Sequence, residues 1–163
     1  MPLLVHLTSE KNVASIRRSG IKPRRKFGAI FAMPVLQNFV VTHQWLRELR
    51  RRGQRSYWGV YFRIPDNEIV WFGHYYSDHV EISAAAAVGI MMKAYDPLGM
   101  QLIVERRIAA KEIVKIRPLP QVIGWRYRPH AQGERLCLCP SCIRRGQPFS
   151  RKLRKLRAAW ESM

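Results

Sequence analysis

Short β-rich segments alternate with short helical segments along the chain, and this alternation restricts the fold more than any other feature. Turn residues lie at the ends of these β-rich segments. The predicted strands are Leu3–Leu7, Ala29–Ala32, Tyr57–Ile64, Ile69–Phe72, Gln101–Val104, Ile113–Arg117 and Val122–Tyr127. The predicted helices follow the caps Thr8 or Ser9, Thr42 and Ser83, and a basic helix is predicted over Ser150–Trp160. Strands and helices intermixed in this way predict an α+β fold.

The chain has 163 residues, of which 47% are apolar, so it can bury a real core. We expect one domain over residues 1–123 and a small basic extension over residues 124–163. No apolar run reaches the roughly 18–20 residues of a membrane span, and the first ten residues lack the pattern of a signal peptide. We therefore expect a soluble cytoplasmic protein that has no membrane partner.

The net charge of +18 is distributed unevenly. Residues 1–56 have a net charge of +10, residues 57–105 of −4, residues 106–123 of +4 and residues 124–163 of +8. Basic faces of this kind are either solvated surfaces or contacts to nucleic acid phosphates. The residues predicted to contact nucleic acid are Arg50, Arg51, Tyr75, Tyr76, Arg144, Arg145, Lys152 and Arg154. Of these, the tyrosines would stack on bases.

Three short motifs carry the candidate chemistry. His6-Leu7-Thr8 lies at the end of the first predicted strand. Gly28–Ala32 forms the second strand and is followed by Asn38 and Phe39. Gln101–Val104 is a later strand that follows a glycine turn. Each motif alone is common in protein cores, and only their order and spacing together point to a function.

In this order the motifs resemble the ADP-ribosyltransferase fold of the diphtheria-toxin and poly(ADP-ribose) polymerase class. The opening stretch His6–Gly20 also looks like DNA-targeting ADP-ribosyltransferase toxins and RNA 2′-phosphotransferases. The resemblance covers residues 3–117. It implies a split antiparallel or mixed sheet with flanking helices, a cleft that binds NAD, and transfer of ADP-ribose to RNA or DNA. The toxin relatives also imply a bacterial toxin or phage-defence effector with an antitoxin partner.

The resemblance also implies roles around the nicotinamide end of NAD. His6 would hydrogen-bond the adjacent ribose, and the backbone around Leu7 would pair with the carboxamide. Phe31 would stack on the nicotinamide, and Phe39 is a second candidate for that role. With Gln101, the residues His6 and Phe31 would form the catalytic site.

Four further residues would hold the rest of NAD, again by resemblance. Thr8 would contact the adenosine-side ribose or the phosphates, and Gly28 would let the chain pass close to NAD. Arg17 and Arg24 are candidates for the pyrophosphate, because arginine pairs well with phosphate oxygens.

Gln101 departs from the family pattern, which has a glutamate at this position. A carboxylate there would stabilise the positive charge that develops at C1′ when the nicotinamide bond breaks. Three interpretations remain open. The chain is a Glu→Gln form of a silenced enzyme, a divergent natural member, or an enzyme in which Glu81 or Glu105 supplies the acid.

Cys137, Cys139 and Cys142 follow His130 closely and offer four ligands for a tetrahedral zinc ion. The alternative is three reduced thiols without a metal. Two other functions also remain open: a nucleic-acid-binding module that kept the fold without catalysis, and an RNA 2′-phosphotransferase-like enzyme.

Overall fold

A computed structural model describes residues 1–23, 28–46, 49, 56–75 and 77–120. The chain divides into two compact units, Met1–Trp125 and Arg126–Met163. The second unit lies outside the described residues, as do the predicted strand Val122–Tyr127, the predicted helix Ser150–Trp160 and the predicted domain boundary after residue 123.

Seven strands in the described part of the chain form one antiparallel sheet. They are β1 (Leu3–Ser9), β2 (Ile30–Pro34), β3 (Tyr57–Arg63), β4 (Ile69–His74), β5 (Val80–Ser83), β6 (Met100–Val104) and β7 (Ile113–Pro118). Their spatial order is β5-β4-β6-β2-β1-β3-β7, and each neighbouring pair is antiparallel. With a few short helices, this confirms the predicted α+β class.

The described helices are α1 (Val13–Ser19), α2 (Phe39–Thr42) and α3 (Ala84–Lys93). Val13 and Ile16 form the buried side of α1, and, as predicted, Ser83 caps α3 by accepting a hydrogen bond from the Ala86 amide. The glycine that follows α1, Gly20, has a φ of 72° and a ψ of −173°, a conformation that favours glycine.

Two predicted helix starts are wrong. The first strand continues through Ser9, so neither Thr8 nor Ser9 caps α1; a 3₁₀ turn at Glu10–Asn12 comes first. The second helix was predicted to follow Thr42, but residues 43–45 form a turn, and the helix α2 that precedes them is capped by Asn38, whose side chain accepts hydrogen bonds from the Val40 and Val41 amides. Threonine at position 42 ends that helix, and its buried hydroxyl bonds to the backbone of Leu36. Tertiary contacts with the preceding loop therefore override its capping tendency.

The segment Gly73–Val80, which lies outside the predicted strands, contributes to two strands. Gly73 and His74 extend β4, and Val80 begins β5, which pairs with β4 from Phe72 to Ile69. The sequence GHYYSDHV lacks the regular apolar alternation that indicates strands. The strand residues at its two ends are recognised only from the pairing of β4 with its neighbours.

The sheet is split between its two central strands. The ladder between β1 and β2 joins Leu4 to Pro34 and Val5 to Met33. Strand β1 nevertheless pairs with β3 over its whole length, from Leu3 to Ser9. We call β1, β3 and β7 the first half-sheet, and β5, β4, β6 and β2 the second half-sheet.

Candidate active site

The three sequence motifs lie on three neighbouring strands. The His6 motif is on β1, the Phe31 motif is on β2 and the Gln101 motif is on β6, and the spatial order is β6-β2-β1. About 70 residues separate the second motif from the third along the chain. The fold therefore brings these motifs to the two sides of the split.

Beyond Val5 the side of β1 that faces β2 has no strand partner among the described residues. Alternate residues of an antiparallel strand direct their N–H and C=O groups to opposite sides. Some main-chain groups between His6 and Ser9 therefore point toward the split rather than toward β3. An amide-containing ligand could bind there by completing the ladder, which fits the predicted contact between the Leu7 backbone and a carboxamide.

His6 bridges the split. Its Nδ1 atom lies 2.8 Å from the backbone oxygen of Phe31. Because a carbonyl only accepts hydrogen bonds, Nδ1 carries a proton and donates it. This contact fixes the imidazole against β2 just beyond the end of the β1–β2 ladder. The first two predicted catalytic residues are therefore in direct contact, through the histidine ring and the phenylalanine main chain.

Phe31 and Gln101 lie on one face of the second half-sheet. Phe31 pairs with Ile103 across β2 and β6, and Gln101 is two residues from Ile103 on the same strand. Cross-strand partners and residues two apart share a face. On β1, alternation groups His6 with Leu4, and Leu4 pairs with Pro34, which lies on the face of β2 opposite to Phe31. By this register, His6 belongs to the face opposite to the one that carries Phe31 and Gln101. The described contacts join His6 to Phe31 but join neither of them to Gln101.

Gln101 is held by His79, a residue that the sequence did not identify as part of the site. The Nε2 atoms of the two side chains are 3.0 Å apart. An amide nitrogen only donates, so the imidazole nitrogen accepts, and the ring carries its proton on Nδ1. The amide of Gln101 is therefore oriented by a neighbour from the start of the β4–β5 hairpin.

Gly73 provides the space for this contact. It pairs with Gln101 across β4 and β6. A methyl group at this glycine would lie 3.2 Å from Cγ of His79 and 3.1 Å from its Cα. The absence of a side chain thus lets the imidazole cross β4 to reach the amide. A glycine within a β-rich stretch is the sequence signal that could have indicated this close approach.

The two alternative acids lie in different places. Glu81 is exposed on β5 and pairs with Trp71 of β4. Since Trp71 also pairs with Ile103, Glu81 shares the face that carries Gln101. Glu105 follows the end of β6 and is exposed.

The other predicted NAD-binding residues differ in accessibility. Leu7 and Thr8 are buried, and the hydroxyl of Thr8 accepts a hydrogen bond from Asn12 at 3.1 Å. Gly28 is exposed with a φ of 61°, and a methyl group there would contact nothing within 4 Å. The positive φ, rather than crowding by neighbouring atoms, therefore explains why glycine occupies position 28. Phe39 is 37% exposed.

Phe39 belongs to a buried polar cluster on the first half-sheet. His43 bonds through Nδ1 to the backbone oxygen of Phe39 and through Nε2 to the hydroxyl of Tyr61. That hydroxyl also accepts a hydrogen bond from Nε of Arg117. Burial lowers the pKa of His43, and the nearby charge of Arg117 lowers it further, whereas the bond to Phe39 acts in the opposite direction. The imidazole is therefore neutral, with Nδ1 donating and Nε2 accepting.

Arg17 lies apart from the three motifs. It lines a cleft of about 250 Å³ between α1 and the residues leading into and forming β7, together with Ala110 and the stretch Ile113, Val114, Lys115 and Ile116. The described contacts do not join Arg17 to His6 or Phe31. Its predicted contact with the pyrophosphate stays a prediction.

Many of the predicted binding residues are outside the described part of the chain. Tyr75 is described and packs edge-on against Trp45, with ring centroids 5.5 Å apart. The predicted residues outside are Arg24, Arg50, Arg51, Tyr76, His130, Cys137, Cys139, Cys142, Arg144, Arg145, Lys152 and Arg154. Within the described ranges, no group of three or more His, Cys, Asp or Glu side chains could hold a metal ion.

Comparisons of the chain with protein-family models, with curated proteins and with solved structures find no match. Among the described helices, none has the length and apolar character needed to cross a membrane.

Proposed function

We propose that this chain binds NAD at the split of its sheet and belongs to an ADP-ribosyltransferase system that modifies nucleic acid. The adjacency of the three motif strands carries this proposal. Motifs that are distant in sequence meet at β6-β2-β1, where His6 contacts the main chain of Phe31. A nucleotide site at such a junction would draw on side chains from both half-sheets.

The split fits the nicotinamide end of NAD in two respects. Main-chain groups of β1 beyond Val5 face β2 without a strand partner among the described residues, and a carboxamide can donate and accept there. Phe31 exposes 39% of its surface, so its ring can present a face to an aromatic ligand. Both features support the predicted orientation of the nicotinamide.

Gln101 determines what the bound nucleotide can do. When the nicotinamide–ribose bond of NAD breaks, positive charge develops at C1′. A neutral amide hydrogen-bonds a ribose hydroxyl but does not balance this charge. We therefore propose that the chain with Gln101 transfers ADP-ribose weakly, and that a glutamate at this position increases the rate. The proposed setting is a bacterial toxin or phage-defence effector with a neutralising antitoxin.

The test compares the chain with Gln101→Glu in the presence of labelled NAD and a mixture of RNA, DNA and protein. Gln37→Glu is the matched control, because Gln37 is exposed in a loop outside the motifs. We expect label on nucleic acid for Gln101→Glu, at least about a hundredfold faster than for the other two proteins. Label on protein alone would contradict the nucleic acid target.

The neutral side chain at position 101 also favours a second candidate, a nucleic-acid-binding module without catalysis. This candidate predicts tight binding of nucleic acid, no binding of NAD, and no transfer by Gln101→Glu. Calorimetric titration with NAD separates the two candidates. An RNA 2′-phosphotransferase-like activity is tested in parallel with NAD and a 2′-phosphorylated RNA. This activity would join the ADP-ribose of NAD to the 2′-phosphate of the RNA, with nicotinamide leaving, and then release a cyclic ADP-ribose phosphate.

A further inference from the structure

The second half-sheet has one buried face and one open face. The buried face carries six even-numbered residues of β2, β4 and β6 that are each at most 5% exposed. They are Ile30, Ala32, Val70, Phe72, Leu102 and Val104. On the open face, Phe31 and Ile69 are 39% and 59% exposed and Trp71 and Ile103 are partly buried, whereas Met33 at the β1–β2 ladder is buried. A sheet that is open on one side usually carries polar residues there. This open face is instead largely apolar, which indicates a binding surface.

Four residues form a row across the open face. Phe31 pairs with Ile103, Ile103 with Trp71, and Trp71 with Glu81. Three strand spacings separate the ends of the row, so it spans about 14 Å. Two aromatic rings, an aliphatic side chain and a carboxylate therefore lie in line. Gln101 and His79 lie beside this row.

The chemistry of the row favours a nucleobase as its occupant. Trp71 offers a large aromatic surface on which a base can stack. The carboxylate of Glu81 only accepts hydrogen bonds, and no described residue pairs with it. It would select a base edge with N–H donors, and guanine carries two adjacent donors at N1 and N2. The row lies mainly in residues 57–105, whose net charge is −4, so the basic residues of 1–56 and 106–163 would contact the phosphates of the strand that carries this base.

We propose that the open face of the second half-sheet binds an unpaired base of a single-stranded nucleic acid, with Trp71 stacking on it and Glu81 accepting hydrogen bonds from its edge. The base would have to be unpaired, because these contacts need both its flat face and its pairing edge. This inference rests on the proposed function, since it names the acceptor of the same site.

The row also gives a balanced transfer step. In this arrangement the nicotinamide lies against Phe31 on β2 and the base lies on Trp71 on β4. These two strands are about 10 Å apart, which leaves room for the ribose over Ile103 on the strand between them. The bond from C1′ to the nicotinamide nitrogen breaks, and nicotinamide leaves with the electron pair. A nitrogen of the base forms the new bond to C1′, and its proton passes to the carboxylate of Glu81.

The test measures binding without NAD, so it does not depend on the proposed reaction. The full chain is titrated with three fluorescent ten-nucleotide DNA strands. One contains thymine only, and in the other two a single thymine is replaced by adenine or by guanine. We expect the guanine strand to bind about tenfold more tightly than the thymine strand. Glu81→Gln should abolish this preference, whereas Glu10→Gln, which changes an exposed carboxylate in the 3₁₀ turn after β1, should keep it.

The stacking residue is tested in the same assay. Trp71→Ala should weaken the binding of all three strands about tenfold, and Trp71→Phe should restore most of the loss. Met92→Ala removes a side chain that is 71% exposed on α3 and should change nothing. Circular dichroism shows whether each variant is folded. If Trp71→Ala does not fold, the comparison of Trp71→Phe with the unchanged chain still tests the stacking contact.

Three results would overturn the inference. One is binding that is unaffected by both Trp71→Phe and Glu81→Gln and shows no base preference. Another is no binding of any strand. The third is a wild-type dimer that Trp71→Ala converts to a monomer, which would make the open face a protein interface. If guanine preference is found but Gln101→Glu transfers no label, the proposed function fails and the base-binding surface stands.

Discussion

The two half-sheets bury their strands differently. In the first half-sheet, β1 and β3 are covered on both faces: Val5 and Tyr61 are buried on one face, and Leu4 and Phe62 on the other. In the second half-sheet, one face is buried and the other carries Phe31 and its neighbours toward solvent. Both half-sheets therefore contribute to the buried core, and the second also supplies accessible surface for binding.

Two histidines illustrate this difference. His43 is 1% exposed, and its ring nitrogens bond to Tyr61 and to the backbone of Phe39. His79 is half-buried at the open face and bonds to Gln101. The first histidine connects α2 to the sheet, whereas the second orients a side chain that a ligand can reach. The same residue type serves packing in one half and positioning in the other.

The largest expected effect is on core packing. Phe62→Ala should lower the free energy of unfolding by about 3–5 kcal/mol, because Phe62 is fully buried and its loss leaves a cavity. Ile103→Ala on the open face should cost about 1 kcal/mol, since that side chain is only partly removed from water. Urea unfolding followed by circular dichroism measures both. Equal losses would contradict the contrast between the two half-sheets.

The buried hydroxyl of Tyr61 gives the next largest effect. Tyr61→Phe leaves Nε2 of His43 and Nε of Arg117 without their shared partner. We expect a loss of about 1–3 kcal/mol in the free energy of unfolding. Tyr95→Phe is the control, because Tyr95 is fully exposed and should lose nothing measurable. A neutral result for Tyr61→Phe would mean that water replaces the hydroxyl.

The lowered pKa of His43 predicts a pH dependence of stability. The unfolded chain binds a proton near pH 6.5, whereas the folded chain binds it only at lower pH. Stability is therefore fully present above about pH 6.5 and is lost as the pH falls below it. His43→Gln should show a smaller loss between pH 7 and pH 5. Parallel pH profiles for the two proteins would exclude His43 as the source.

The smallest expected effect on stability comes from Gly73→Ala, at about 1 kcal/mol or less. The added methyl group would move His79 away from Gln101. Side-chain nitrogen spectra of histidine should show a changed signal for His79. Gly89→Ala, where a methyl group contacts nothing within 4 Å, should leave that signal unchanged. An unchanged signal in Gly73→Ala would show that the ring reaches Gln101 by another path.

Local patterns predicted much of the secondary structure. Ser83 indicated the start of α3 and β-rich stretches indicated most of the strands, because capping and side-chain alternation act over a few residues. They did not predict β5 or the role of Asn38. Both depend on partners: β5 on its pairing with β4, and α2 on the loop contacts that bury Thr42.

The candidate site shows the same division. The sequence indicated His6, Phe31 and Gln101 through the order of three motifs. It gave no sign that His79 would reach Gln101, or that Trp71 and Glu81 would continue the row that begins at Phe31. Cross-strand register decides which residues become neighbours, and register is a property of the assembled sheet.

By itself, the sequence determined the α+β class, the positions of the motifs and the basic charge, since propensity, turn chemistry and charge are carried by the residues themselves. Only the tertiary structure decided that the sheet splits after Val5 and Met33, that the second half-sheet keeps an open apolar face, and that a glycine makes room for His79. These features arise from how distant segments pair, and pairing depends on the free energy of the whole fold rather than on any one segment.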